Sequence, residues 1–178
     1  MLHIYCGPCV IYPLRILREE GDDVCGYFSN PNIHPYLEYK RRLDTLDAYA
    51  GQERLPLVRE EGYPVEGFLR QVAFREEDRC RHCYQMRLEK TAQAAKAGGF
   101  DAFTTTLLYS RYQKHDLIRG TAEAVARRCD IPFLYRDFRE GWAEGVRMAK
   151  ALEMYRQPYC GCLYSEKERY YRPSPKPL

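Results

Sequence analysis

Six of the eight cysteines stand in three tight pairs, Cys6-Gly-Pro-Cys9, Cys80-Arg-His-Cys83 and Cys160-Gly-Cys162. Such spacing puts two sulfurs on one turn of chain, yet the pairs lie far apart in sequence. A fold that uses all three must carry three distant segments to one place. Sulfurs gathered in that way hold metal, do redox chemistry, or both. Cys25 and Cys129 stand alone at the edges of apolar runs and read as small core residues.

At 178 residues the chain is one domain, or one domain with a tail, and it is large enough to bury a core. Leu2 to Tyr5 is a short apolar run that reaches Cys6 with no basic segment ahead of it, so no signal peptide is expected. No stretch is long and apolar enough to span a bilayer, and no membrane partner is expected. The expected compartment is the reducing cytoplasm, where cysteine pairs are more often metal-binding or catalytic than structural disulfides. A net charge of +3 is no argument for nucleic acid; the sixteen tyrosines are the odder number.

The apolar pattern alternates strand and helix. It predicts strands at 2–5, 24–29, 55–58, 102–107 and 131–135. Helices are predicted at 10–20, 36–50, 64–74, 82–97, 115–128 and 142–155. Gly21 closes the first helix, and Pro13 is expected within its first turn. Tyr36, Tyr39, Leu43, Leu46 and Ala50 share one face of the second helix. Leu117, Ile118, Thr121 and Val125 point inward from the fifth. Such alternation argues an α/β fold with a mostly parallel sheet and helices on both faces. The expected organisation is one domain over 1–166, then a basic, proline-rich tail over 167–178 whose last six residues are frayed. Ligands in such folds bind beyond the carboxyl ends of the strands. That rim would collect Cys6 and Cys9, Asn30 to His34, Thr104 to Arg111 and Asp137, with the Cys80 and Cys160 loops in reach.

Three chemistries compete for the cysteines. Cys-Gly-Pro-Cys at a helix start suits a nucleophilic dithiol, because the helix N-terminus favours a thiolate. A thioredoxin, however, has a strand and a helix before that motif, and only five residues precede it in this chain. Two CxxC pairs also suffice for a structural zinc, although about seventy residues separate them, unlike the compact zinc ribbons. Four thiolates from two loops on one rim suit a [4Fe–4S] cluster. Cys160 and Cys162 then remain as a dithiol beside it or as ligands of a second metal. Spacing alone does not separate these.

Several longer motifs stand in a characteristic order. They are Leu2-His-Ile-Tyr-Cys-Gly-Pro-Cys9, Phe28-Ser-Asn-Pro-Asn-Ile-His-Pro35, Cys80-Arg-His-Cys-Tyr-Gln-Met-Arg-Leu-Glu-Lys-Thr91, Phe103-Thr-Thr-Thr106, Leu134-Tyr-Arg-Asp-Phe138 and Tyr155-Arg-Gln-Pro-Tyr-Cys-Gly-Cys162. Together they resemble the QueH family of epoxyqueuosine reductases, over nearly the whole chain. The resemblance implies a HUP-type Rossmann-like fold. It implies reduction of epoxyqueuosine to queuosine at the wobble position of tRNA, with electrons from an unidentified donor. It implies a [4Fe–4S] cluster on Cys6, Cys9, Cys80 and Cys83. Cys160 and Cys162 would then be a redox-active dithiol or the ligands of a second, mononuclear iron. One position departs: the family commonly has two adjacent cysteines at the end of strand one, and Tyr5 stands in place of the first. Either Cys9 is a ligand, or one cluster iron is open to another.

Removing an epoxide oxygen takes two electrons and two protons, and an acid or Lewis acid must steady the developing alkoxide. Asp137 is the oxygen-ligand candidate; His34 and Tyr109 are candidate acids. Blander readings stand beside them. Asp137 is a helix N-cap or pairs with Arg136 or Arg139. His34 is a turn residue held by Pro35, and His82 and His115 are solvated helix residues. Asn30, His34, Arg81, Thr105, Tyr109 and Arg111 are expected to bind substrate from the same rim. RNA contact would come from Arg79, Arg81, Arg87, Arg111, Lys114 and a basic aromatic end, Tyr164, Lys167, Arg169, Tyr170, Tyr171 and Arg172. The alternative is a zinc-stapled RNA-binding module without redox catalysis.

Overall fold

The computed structural model describes residues 1–172; the last six residues, expected to fray, lie outside the described residues. Four short parallel strands form one sheet. They are β1 (Leu2–His3), β2 (Gly26–Phe28), β3 (Leu57–Arg59) and β4 (Thr104–Thr105), in the order β3-β2-β1-β4. Leu2 registers with Gly26 on one side and with Thr104 on the other. The chain therefore moves outward from β1 to β3, then returns to place β4 on the opposite edge. Strand order reverses between β1 and β4, and in open parallel sheets the crevice at that switch point is where ligands bind.

Helices pack in two sets, α1 (Gly7–Glu19), α2 (Tyr36–Gln52) and α6 (Trp142–Ala151) in one, and α3 (Val65–Val72), α4 (Arg79–Ala97) and α5 (His115–Cys129) in the other. Leu2, Ile4, Phe28, Leu46, Phe68, Leu88 and Phe103 form the buried centre. Each such side chain contributes about 1.5–3 kcal/mol by leaving water.

The expected strand at 131–135 shrinks to one parallel bridge between Phe103 and Phe133. Pro132 has no amide hydrogen to extend the ladder. The expected strand at 102–107 shrinks as well. After Thr105 the chain turns into a short 3-10 helix, Thr106–Tyr109, capped where the Leu107 amide donates to Thr105 Oγ1 at 3.1 Å.

Two helix starts also differ from expectation, and one helix is not expected at all. α1 begins at Gly7 rather than Val10, because Pro8 in the first turn is pre-set for helix. Gly7 is needed there: a Cβ would meet Met154 Cε and Thr45 Cγ2 at 2.9 Å. Pro13 consequently lies inside the helix and leaves the Cys9 carbonyl without its amide partner. α4 begins at Arg79 rather than His82, so Cys80 is in its first turn. α7 (Leu163–Tyr170) was expected as loop and crosses the boundary placed at residue 166. Its run of eight residues has neither Gly nor Pro and holds Glu166, Lys167, Glu168 and Arg169, a readable helix signal.

Side-chain placement brings further corrections. Tyr36 is exposed, and the buried face of α2 includes Glu38 and Arg42 instead. On α5, Ile118 and Val125 are buried as expected, with Ala122 beside them, while Leu117 and Thr121 are half-buried. Cys25 and Cys129 are half-buried rather than core.

Candidate active site

All three cysteine pairs sit at helix N-termini. Cys6 is the N-cap of α1 and Cys9 lies in its first turn. Cys80 and Cys83 occupy the first two turns of α4. Cys162 is the N-cap of α7, with Cys160 two residues before it. None of the three helices has a side-chain cap at its N-terminus. Each N-terminus favours negative charge by about 0.3–1 kcal/mol, more when partly buried.

The switch point opens into a cavity of about 700 Å³. Tyr5 and Cys9 line it from the end of β1, Tyr109 and Gln113 from the chain after β4, and Gln157 and Cys160 from the last loop. Gln157 Nε2 lies 2.9 Å from Cys6 Sγ, and Gln113 Nε2 lies 3.3 Å from Cys160 Sγ. Cys6 and Cys9 are joined as a disulfide, with their Cα atoms 5.4 Å apart. Cys80, Cys83, Cys160 and Cys162 are free thiols, and Cys160 and Cys162 lie close enough to Cys80 and Cys83 to raise those two further. Burial pushes the Cys83 thiol up to about 12, against the pull of Arg87. Burial also raises Cys80, with Lys114 and Arg79 opposing.

The loop of the third pair is held from several sides. Arg42 donates to the carbonyls of Cys160 at 2.9 Å and Tyr159 at 3.0 Å, and Tyr5 Oη also donates to the Cys160 carbonyl. The His34 amide donates to the Gly161 carbonyl at 2.8 Å, and Tyr159 Oη donates to the His34 carbonyl at 2.7 Å. Gly161 has φ +136°, and a Cβ there would meet Ile33 Cγ1 at 3.0 Å and Arg42 Nη1 at 3.1 Å, so the residue between the two cysteines must be glycine. Arg42 itself is buried and paired with Glu38 at 2.7 Å. Both Arg42 and Arg87 lie over the Tyr5 ring, each 5.2 Å from its centroid. Tyr5, the residue that departs from the cysteine pattern, thus ties the first pair's strand to the third pair's loop.

The other expected site residues divide. Tyr109 is in the cavity wall, its hydroxyl donating to the Trp142 carbonyl at 3.2 Å and pushed by burial up to about 12. Arg111 is exposed nearby, in the same loop as the cavity-lining Ser110 and Tyr112. Asn30 is buried and donates to the Ile4 carbonyl at 2.9 Å. Thr105 is buried, with Oγ1 2.8 Å from His3 Nδ1. His34 is half-buried, its Nε2 unpartnered and its pKa lowered by burial. Asp137 lies outside the cavity wall, accepting from the Arg139 amide at 3.1 Å and from Arg139 Nε at 2.8 Å. That pairing draws its carboxyl down to about 2. Arg81 is exposed in a groove between α4 and α5, apart from the cysteines.

Arg87, expected as an RNA contact, is fully buried. His115, expected in solvent, is buried, with Nε2 3.0 Å from Tyr135 Oη. His82 is half-buried within α4. Sequence reading missed Arg42, Gln113, Gln157 and the exposed Tyr112 on the cavity rim. A second cavity of about 740 Å³ between α3 and α4 contains none of the paired cysteines.

Among the described residues no three His, Cys, Asp or Glu side chains converge, as they stand, on a single ion. The donor set nevertheless fits a thiolate-bound group. It is soft sulfur at three helix N-termini, and the terminal nitrogens of buried Arg87 have no partner among the described residues. Loading requires the Cys6–Cys9 disulfide to be reduced first and bound thiols to lose their protons. Among the described residues no helix is long and apolar enough to cross a membrane.

A family model described as "Epoxyqueuosine reductase QueH" matches residues 1–168. An epoxyqueuosine reductase QueH of Dehalococcoides mccartyi is 36% identical over 174 residues, 98% of this chain and 96% of that protein. One of Streptococcus pyogenes is 34% identical, over 94% of this chain and 70% of that protein. One of Thermotoga maritima is 33% identical, over 95% of this chain and 91% of that protein.

Proposed function

The chain belongs to the QueH family of epoxyqueuosine reductases and is an oxidoreductase, and from that premise we propose that it performs its reduction on tRNA with a thiolate-bound [4Fe–4S] cluster. What supports this most is a cysteine pair at each of three helix N-termini, with Cys9 and Cys160 lining one cavity and Cys80 and Cys83 close to Cys160 and Cys162. A zinc-stapled module without catalysis accounts for four of these cysteines and leaves Cys160 and Cys162 without work.

In the reaction the epoxide accepts two electrons and two protons, loses its oxygen as water and leaves a ring double bond. Cys6, Cys9, Cys80 and Cys83 would hold the cluster, which supplies single electrons received from an external donor. Oxidation of the Cys160 and Cys162 thiols to a disulfide releases two electrons and two protons, the same balance the epoxide consumes. Arg42 and Tyr5 hold the carbonyls of that loop, so the thiols keep one orientation. Tyr109, a weak acid kept protonated by burial, lines the cavity and is the candidate donor to the departing oxygen once its hydroxyl leaves the Trp142 carbonyl. Asp137, already capping a turn and paired with Arg139, is the weaker candidate. Arg156 and Arg169 on the rim suit phosphate, and Tyr112 suits stacking on an anticodon-loop base turned out of its stack.

An anaerobic preparation analysed for iron, zinc and sulfide tests the reading. It is expected to hold about four irons and four sulfides per chain. Further iron without sulfide assigns Cys160 and Cys162 to a second, mononuclear iron. Zinc with no sulfide overturns the cluster.

A further inference from the structure

Arg87 is fully buried in the middle of α4, one helical turn after Cys83. Its Nε donates to Asn32 Oδ1 at 2.7 Å. Its two terminal nitrogens are buried and have no partner among the described residues. Nearby buried atoms repeat the deficit, since His3 Nε2, Asn30 Oδ1 and Asn32 Nδ2 also have no hydrogen-bond partner among the described residues. Arg42, over the same tyrosine ring, has a carboxylate and two carbonyls. A guanidinium keeps its charge at any accessible pH, and burying it unpaired is costly. Ordered water satisfies hydrogen bonds but does not neutralise charge. The chain therefore maintains an uncompensated cation directly behind its second cysteine pair, where metal-bound thiolates bring negative charge.

We propose that Arg87 is the built-in counter-charge of the cysteine-bound centre and raises its reduction potential. The inference rests on the iron–sulfur reading above. Arg87 is a positioning residue for charge, acting through the centre rather than on substrate. Each electron that enters a thiolate-ligated cube adds one negative charge to an already anionic group. A fixed cation in a low-dielectric interior stabilises the reduced form more than the oxidised one.

The test compares wild type with Arg87→Met, Arg87→Gln and Arg87→Lys, all reconstituted anaerobically. Iron and sulfide are counted first, and a mediated dithionite titration is then followed by electron paramagnetic resonance. Each centre takes one electron from dithionite. Met and Gln variants are expected to load normally. At a fixed potential their ratio of reduced to oxidised centre should fall tenfold or more, which is a midpoint lower by about 59 mV or more. Lysine, which restores the charge without the planar fork, should recover most of that shift. A midpoint in either uncharged variant equal to wild type overturns the proposal. So does a lysine variant shifted as far as the uncharged ones, because shape and not charge would then matter. If neither uncharged variant folds while lysine does, the charge serves the chain itself and the proposal falls. Wild type without iron and sulfide removes the underlying reading, and that result is in hand before any variant is titrated.

Discussion

Arg42 and Arg87 meet at the Tyr5 ring, and their surroundings are built on opposite plans. Around Arg42 every charge and dipole is answered within the chain. Glu38 balances it, Tyr155 donates to Glu38, and the carbonyls of Tyr159 and Cys160 accept from its terminal nitrogens. Around Arg87 only one nitrogen is answered. The first region is complete as a folded object and fixes the third cysteine loop. The second is complete only with something anionic beside it. A closed network rigidifies a site, whereas an open one states what the site expects to receive.

The most severe break falls on what the Arg42 region presents. Replacing Cys160 and Cys162 with serine should abolish turnover of epoxyqueuosine-containing tRNA, with circular dichroism and the metal of the other two pairs retained. Unchanged turnover would remove these residues from the chemistry. Next, Arg42→Met should cost about 3–5 kcal/mol in denaturant unfolding, since it strands the Glu38 carboxylate and two carbonyls. Adding Glu38→Gln should recover part of the loss, a coupling read from the double-mutant cycle. Arg87→Met should cost less than Arg42→Met; equal costs would erase the distinction between the regions.

Acid should act on the Arg87 side. Burial draws His3 down to about 3, with Arg87 adding to the effect, while the unfolded chain takes its proton near 6.5. The folded value is the lower one, so the stabilisation is full above about pH 6.5 and is lost as pH falls from there towards 3. The slope approaches ~1.4 kcal/mol per pH unit for this one group. His34 and His115 are also lowered and add in the same direction. His3→Gln should flatten the unfolding profile between pH 6.5 and 5, before carboxylates titrate. A profile unchanged by that substitution would show His3 to be readily protonated in place. The smallest effect is expected from Tyr5→Phe. It should cost roughly 1 kcal/mol for the lost bond to the Cys160 carbonyl, by chemical denaturation, while keeping the ring under both guanidiniums.

What could be read in advance follows the range of the forces involved. Strand and helix alternation is a local pattern of apolar spacing, and it placed the helices that flank the parallel sheet with errors at their ends. Helix starts slipped at Gly7 and Arg79 because a proline or a preceding turn can begin a helix ahead of its apolar face. The paired cysteines were legible because both sulfurs of each pair lie on one turn. Arg42 and Arg87 were not, because a charged residue on a helix reads as surface until its neighbours are known. Arg87 is expected from sequence as an RNA contact, and α4 packing across β1 is what buries it.

By itself, then, the chain's order of residues determined its α/β class, its family and the three thiol pairs, since each is written in spacing or in short ordered motifs. Only the tertiary structure decided that strand order reverses beside Cys6, that Cys9 and Cys160 line one cavity, and that one buried arginine is answered while the other is not. Those facts depend on which distant segments exclude water from one another, and burial of that kind is a property of the packed whole.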